Sequence, residues 1–293
     1  MTDSDAATQA AALEHGNAAA DAAGWHAKLT LRFERDGPRT VLRERRHVGP
    51  LRVQKALYPE GDRVCQVVIV HPPAGVVAGD SLAIDVDAQT GAHVQATTPG
   101  AAKWYRSTGR TAHSTTRIRA RAGALVEWLP LETILFEGAR SSIRLTVELT
   151  DDARFVGWDI TCLGRTASGE RWTSGRLRQS LDLFRDGELV WCDRIALDGG
   201  TRSLQSGAIL GGAPVFGTMI ATGDGASDTL LGACRAVRCE SGNGALTRLP
   251  RVLVARYAGD SVTAARTYFA TLWRILRPAL AAREVVEPRI WNT

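Results

Sequence analysis

Apolar and polar residues alternate from Trp25 through Ala27, Leu29, Leu31 and Phe33, with His26, Lys28, Thr30 and Arg32 between them. A period of two is that of a strand with one buried face. The same alternation sets Leu82, Ile84 and Val86 against Asp85 and Asp87, and Ile143, Leu145, Val147 and Leu149 against Arg144, Thr146 and Glu148. The run over 64–70 is apolar without alternation, which suits a strand covered on both faces. Further strands are predicted over 40–47, 93–98, 114–121, 125–129, 154–162, 177–184, 188–195, 215–221 and 251–257. A dozen or more strands punctuated by Gly and Pro predict a mostly β fold, a sandwich or winding β-solenoid rather than βαβ units.

Helical spacing appears late in the chain. Asp228 is placed to cap a short helix to about residue 238. Ser261 caps a longer one, over 261–277, in which Val262, Ala265, Phe269, Leu272 and Leu276 follow 3,4,3,4 spacing and Pro278 ends the helix. Tyr268, Trp273 and Ile275 widen that stripe to an arc of about 160°, more than the ~100° that docking on one sheet requires. The surplus either faces a partner or sinks the helix deeper into its own core. The stretch 203–223 carries no charge, but its five glycines and its hydroxyls read as buried strands joined by a turn at Gly211-Gly212, not as a membrane span.

Composition narrows the chemistry. The 293 residues have an ordinary globular balance, and the net charge of +5 comes from 33 arginines and three lysines, Lys28, Lys55 and Lys103. None of those lysines follows a glycine, so there is no P-loop. Residues 1–24 are alanine-rich with Asp3, Asp5, Glu14 and Asp21 and no base, and read as a disordered tail before one domain over 25–293. Five cysteines, odd in number and mostly far apart, with no leader-like N-terminus, indicate a reduced cytoplasmic protein.

Enzyme templates fail in turn: there is no Gly-x-Ser-x-Gly, no His-Glu-x-x-His and no His pair at metal spacing. Cys234 and Cys239 do not share a helix face. Arg117, Arg119 and Arg121 on one strand face, with Arg43, Arg45 and Arg46, suggest phosphate binding, but aromatic residues for base stacking are missing nearby. Three segments depart from ordinary sheet punctuation. Residues 70–80 pass through His71-Pro72-Pro73-Ala74-Gly75 to Asp80; residues 97–107 crowd Thr97, Thr98, Lys103, Tyr105 and Arg106 around Pro99-Gly100; residues 127–139 embed Glu127, Glu132 and Glu137 in an apolar and aromatic run.

In this order, together with Gly49-Pro50-Leu51-Arg52-Val53-Gln54-Lys55, Tyr58-Pro59-Glu60-Gly61, Leu163-Gly164-Arg165-Thr166-Ala167-Ser168-Gly169-Glu170 and the closing Pro288-Arg289-Ile290-Trp291, those segments resemble the UreD (UreH) family of urease accessory proteins. Departures are Gln66 where the family usually has His, Ala74-Gly75 for Gly-Gly, Ala78 for Gly and Leu131 for Gln. The resemblance implies a two-layered, many-stranded β-helicoid with C-terminal helices and a non-enzymatic factor that helps load nickel into apo-urease. It implies binding to UreF, through it to the GTPase UreG, and to the urease apoprotein, with no tightly held cofactor and with nickel(II) held transiently.

A metal in transit needs scattered oxygen ligands and single imidazoles, since a closed Cys or His cage would trap it. The candidate lining of an internal nickel path is Asp80, Thr97, Thr98, Asp159, Glu170 and Asp193, with His71 near an entrance. The bland alternative pairs each buried acid with an arginine such as Arg165 or Arg194. Candidate partner contacts are Lys103, Tyr105 and Arg106, and Phe269, Leu272, Trp273 and Leu276 on the last helix. The rivals are a pure docking scaffold without metal transfer and a basic nucleic-acid-binding β-sandwich.

Overall fold

The computed structural model describes residues 24–223 and 227–292. The expected disordered tail therefore lies outside the described residues, apart from Gly24. Seven strands form a first sheet: β1 (His26–Asp36), β2 (Arg39–Val48), β5 (Ser81–Ala88), β8 (Ala112–Ala120), β11 (Arg140–Leu149), β13 (Arg176–Arg185) and β14 (Glu188–Asp198), in the order β14-β13-β11-β8-β5-β1-β2. The second sheet contains β3 (Arg52–Val53), β4 (Val64–Val70), β6 (His93–Thr97), β9 (Leu125–Leu129), β12 (Arg154–Leu163), β15 (Val215–Thr222), β16 (Asn243–Leu249) and β17 (Val252–Gly259), ordered β16-β17-β15-β12-β9-β6-β4-β3. The short strands β7 (Ala102–Trp104) and β10 (Thr133–Leu135) extend it beside β12.

From β4 to β13 the chain lays its long strands alternately in the two sheets. Each return therefore stacks a strand parallel to its predecessor in the same sheet, as at Val64↔His93 and Ser81↔His113. This is the helicoid that the family resemblance implies, and a form of the winding β architecture read from the strand count. No crossover helix is needed, because the opposite sheet is the crossover.

Burial explains the two kinds of hydrophobic pattern. The first sheet packs one face inward, and in β1 the residues Ala27, Leu29, Leu31 and Phe33 are buried while their neighbours face water. The second sheet has the first on one side and helix α2 (Val262–Ala281) on the other; all eight residues of β15 are buried. On the outer face of the first sheet, the register sets Asp85 beside Arg117 and interleaves Arg32, Asp87, Arg119 and Glu148 in one row. Arg117 pairs with Glu148 at 3.4 Å. The arginines of this face alternate with acids instead of forming a uniform stripe.

Several expectations at the C-terminal end change. Helix α1 (Asp228–Ala236) is capped by Ser227, whose hydroxyl accepts from the Leu230 amide at 3.2 Å, one residue before the expected cap. Ser261 caps α2 as expected, accepting from Ala264. Pro278 does not end α2, which continues to Ala281. Proline removes one backbone donor, and burial of Leu280 in the last turn favours continuation. Ala282, at φ 51°, then closes the helix by donating to the Pro278 carbonyl. Of the charge-free stretch, only its second half is a buried strand; 202–205 is a short 3-10 turn and 206–212 an exposed loop, because small residues and glycines there offer little to bury.

The helix face resolves toward the core. Phe269, Leu272 and Trp273 are fully buried and Leu276 nearly so. They cannot act as surface partner contacts of this fold. The surplus arc is covered by the chain's own C-terminus: Trp291 sits 5.9 Å from both Trp158 and Trp273, and its indole donates to the Thr97 hydroxyl at 2.9 Å.

Ala74 adopts φ 61°, a left-handed conformation that costs a side chain about 1 kcal/mol. Ala74→Gly is expected to stabilise the protein by about that amount, seen as a higher denaturant midpoint. An unchanged midpoint would contradict the strain.

Candidate functional site

Residues on the inward faces of both sheets should be sealed from water, yet Ile84 on β5, Ile143 on β11 and Ile195 on β14 are only partly buried. The space between the sheets opens only at its margins. At one end lies a cavity of about 430 Å3 walled by Ile69, Val76, Leu82, Ile84 and Trp104, with His71, Thr98, Lys103 and Ser114 as its polar members. Burial pushes the His71 imidazole toward the neutral form, partly countered by the charge of Asp80.

On the flank between β14 and the β16-β17 margin lies a cleft of about 560 Å3, bordered by Asp193, Ile195, Thr218 and Arg256 and by Ile209 and Leu210 of the exposed loop. The second sheet aligns Asp159, Thr218 and Arg256 side by side on β12, β15 and β17. Asp193 reaches across from β14 to accept from Thr218 at 3.2 Å and to pair with Arg256 at 3.0 Å. Next along β12, Thr161 donates to Gln179 of the opposite sheet at 3.2 Å. Asp159 stands among these groups with its Oδ1 shut off from solvent and without a hydrogen bond. Burial, reinforced by the Asp193 charge, pushes its pKa up to about 7. Two carboxylates, two hydroxyls and an amide oxygen are donors of the hard class that divalent cations take, with Asp193 engaged by Arg256 and the Gln179 oxygen by Thr161. Among the described residues no three His, Cys, Asp or Glu side chains are arranged to hold a metal ion.

The structure thus brings together Asp159 and Asp193 at the flank, and His71 and Thr98 at the end cavity. It separates the others. Both Asp80 oxygens are occupied, accepting from the amides of Trp25 at 2.8 Å and Val77 at 2.9 Å. Thr97 points to the opposite, helix-covered face of the second sheet, donating to the Leu129 carbonyl at 2.7 Å. Glu170 is paired with Arg165 at 2.9 Å, which holds its carboxyl below the usual range. For Glu170 the arginine pairing proposed as the alternative is the one present, and for Asp193 the ion-pair partner is Arg256 instead of Arg194.

The unusual segments meet around the end cavity. The Val76 amide donates to Lys103 at 2.8 Å, Tyr105 to Val76 at 2.9 Å, Phe136 to Trp104 at 2.9 Å and Gly164 to Leu135 at 2.7 Å. Tyr105 meets Phe136 edge to face at 4.8 Å. Gly75 lies directly under the Tyr105 ring, where a Cβ would fall 1.9 Å from a ring carbon, so only glycine fits.

Reading the sequence missed a second polar cluster, under α2. Glu127 on β9 and Arg277 on α2 are fully enclosed. Arg277 meets Glu127 at 3.0 Å and Glu60 at 2.7 Å. His93 approaches Glu127 at 2.7 Å, and Trp273 donates to it at 2.6 Å. Burial opposes ionisation of Glu127, but His93 and then Arg277 outweigh it and hold the carboxyl below its ordinary range. The available signal was Arg277 itself, four residues after Trp273 on the apolar stripe. Gln66, where a histidine was expected, belongs to the same face and donates to Gln95.

Comparison with known proteins bears on these arrangements. The chain matches the family model described as UreD urease accessory protein over residues 26–292. Urease accessory protein UreD of Dechloromonas aromatica (strain RCB) is 50% identical over 273 residues, covering 92% of this chain and 95% of that protein. The proteins of the same description from Azoarcus sp. (strain BH72) and Pseudomonas aeruginosa (strain PAO1) are each 49% identical over 270 residues, covering 92% of this chain and 95% of theirs.

Proposed function

The chain belongs to the UreD family of urease accessory proteins, and from that premise we propose that it is a cytoplasmic, non-enzymatic maturation factor that docks on the urease apoprotein and assists nickel insertion. In this reading it binds UreF, which brings the GTPase UreG; GTP hydrolysis would belong to that partner, in keeping with a chain that carries no P-loop. Nickel(II) is cargo and passes between the two sheets. The observation that carries this route is Asp159, an acid with one unbonded oxygen that lies near Asp193 on the inward face of the second sheet. Burying a carboxylate costs stability, and acids perturbed in this way gather at functional sites.

Asp159 and Asp193 supply the carboxylate oxygens, with Thr218 and Gln179 completing a loose polar wall. His71 and Thr98 stand where the space opens at the end cavity. Since Asp159 ionises only near pH 7, a cation arriving there displaces a proton, and retention weakens as pH falls. A pure docking scaffold is the second reading, favoured by the lack of three clustered ligands among the described residues.

Co-expression with urease and its accessory proteins separates the two. Asp159→Asn and Asp193→Asn are expected to lower nickel per urease active site and urease activity at least fivefold, while pull-downs still recover the complex bridging UreF to apo-urease. Unchanged nickel content in both variants would sink the route and leave the scaffold.

A further inference from the structure

We propose that the end of the sandwich built by segments 71–80 and 98–107 is the docking face for a partner surface that presents carboxylates around a bulky apolar side chain, and that this side chain seats in the 430 Å3 cavity. The proposal rests on the maturation reading only in needing a partner; it does not require that nickel pass through this protein.

Exposed apolar groups gather at this end. Trp25 is 54% exposed, Val77 48% and Tyr105 36%. Asp80 binds the amides of Trp25 and Val77 with its two oxygens, and Tyr105 is tied to the same loop through Val76. Tyr105 is held from below by Gly75 and from the side by Phe136, so it presents a fixed ring. A fixed aromatic beside an apolar cavity is the usual form of an interface anchor point.

Charge defines the partner. The acids of this end are engaged or enclosed: Asp80 caps two amides, Glu137 accepts from Thr173 and Ser174, Glu170 is paired with Arg165, and Glu132 has a carboxylate oxygen shut off from solvent. Lys103 and Arg106, by contrast, make no ion pair with any described residue. Lys103 lines the cavity, and Arg106, next in the chain to Tyr105, lies along Gly138. Two unneutralised cations on this face complement an acidic partner and speed its approach. The cavity walls are aliphatic and aromatic, so the inserted group is apolar.

The test is binding of the purified full chain to purified UreF and to purified urease apoprotein, at 50 and 500 mM NaCl. For one partner, the double variant Lys103→Glu/Arg106→Glu is expected to slow association at least tenfold at low salt, and added salt to erase most of that difference. Tyr105→Ala is expected to speed dissociation at least tenfold. Thr115→Glu, on the outer face of the first sheet, should bind as the wild type, and melting curves identify any variant that has merely unfolded. Wild-type binding of both partners by the Lys103, Arg106 and Tyr105 variants would overturn the docking face alone. So would loss of binding in Ile209→Asp, at the flank cleft, in place of these. Failure of the wild-type chain to bind either partner would overturn this proposal and the proposed function together.

Discussion

Arg277→Ala is expected to cost about 3–5 kcal/mol of folding stability, because it removes the guanidinium shared by two enclosed carboxylates and leaves only His93 and Trp273 on Glu127 and the distant Arg283 on Glu60. Glu127 is fully buried and the Glu60 side chain is 3% exposed, so neither can recover hydration where it stands. The guanidinium also donates to the Glu284 carbonyl, which ties the C-terminal segment down over the sheet. Denaturant unfolding of Arg277→Ala should show the midpoint falling by that energy. Adding Glu127→Gln should return part of it by removing one stranded charge. Arg277→Lys should fall between, since a single ammonium cannot fork to both carboxylates. A loss under 1 kcal/mol in Arg277→Ala would mean that the cluster is not the closed unit its geometry describes.

Asp159→Asn is expected to stabilise the protein at alkaline pH by about 2–4 kcal/mol. The folded pKa of about 7 lies above the unfolded value near 4. Between those values the folded state keeps a proton that the unfolded state loses, so stability from this group is full below about pH 4 and falls until about pH 7. Three units at about 1.4 kcal/mol each set the upper limit, and the residue's partial exposure lowers it. Unfolding curves of wild type and variant should therefore coincide at pH 4 and separate progressively up to pH 8. Parallel curves at all pH values would show that Asp159 is not perturbed. Greater stability combined with lost nickel loading would be the trade expected of a functional acid.

The strand pattern was readable because burial imposes it directly. A strand covered on one face must alternate, as β1 and β11 do, and a strand covered on both need not, as β15 does not. Ser261 was readable because a helix start needs a side-chain acceptor within three residues. The end of α2 was misread at Pro278, since a proline penalty is local while the burial of Leu280 that outweighs it comes from the second sheet, distant in sequence. The wide apolar arc was ambiguous for the same reason: only the return of Trp291 decides that Phe269 and Trp273 are inside.

The site divides similarly. Asp159 between Trp158 and Ile160 was visible as an acid in an apolar strand, and its place across from Asp193 follows from stacking the two sheets. Asp80, Thr97 and Glu170 stand in segments that the sequence reading singled out, yet the fold engages each with amides, a carbonyl or an arginine. The chain by itself determined most of its long strands, its mostly β class and its family resemblance, because periodicity, caps and ordered motifs are properties of neighbours along the sequence. Tertiary structure alone decided which acids face open space and which are neutralised, because those pairings, Arg277 to Glu127 across 150 positions among them, depend on the register in which turns of the helicoid stack.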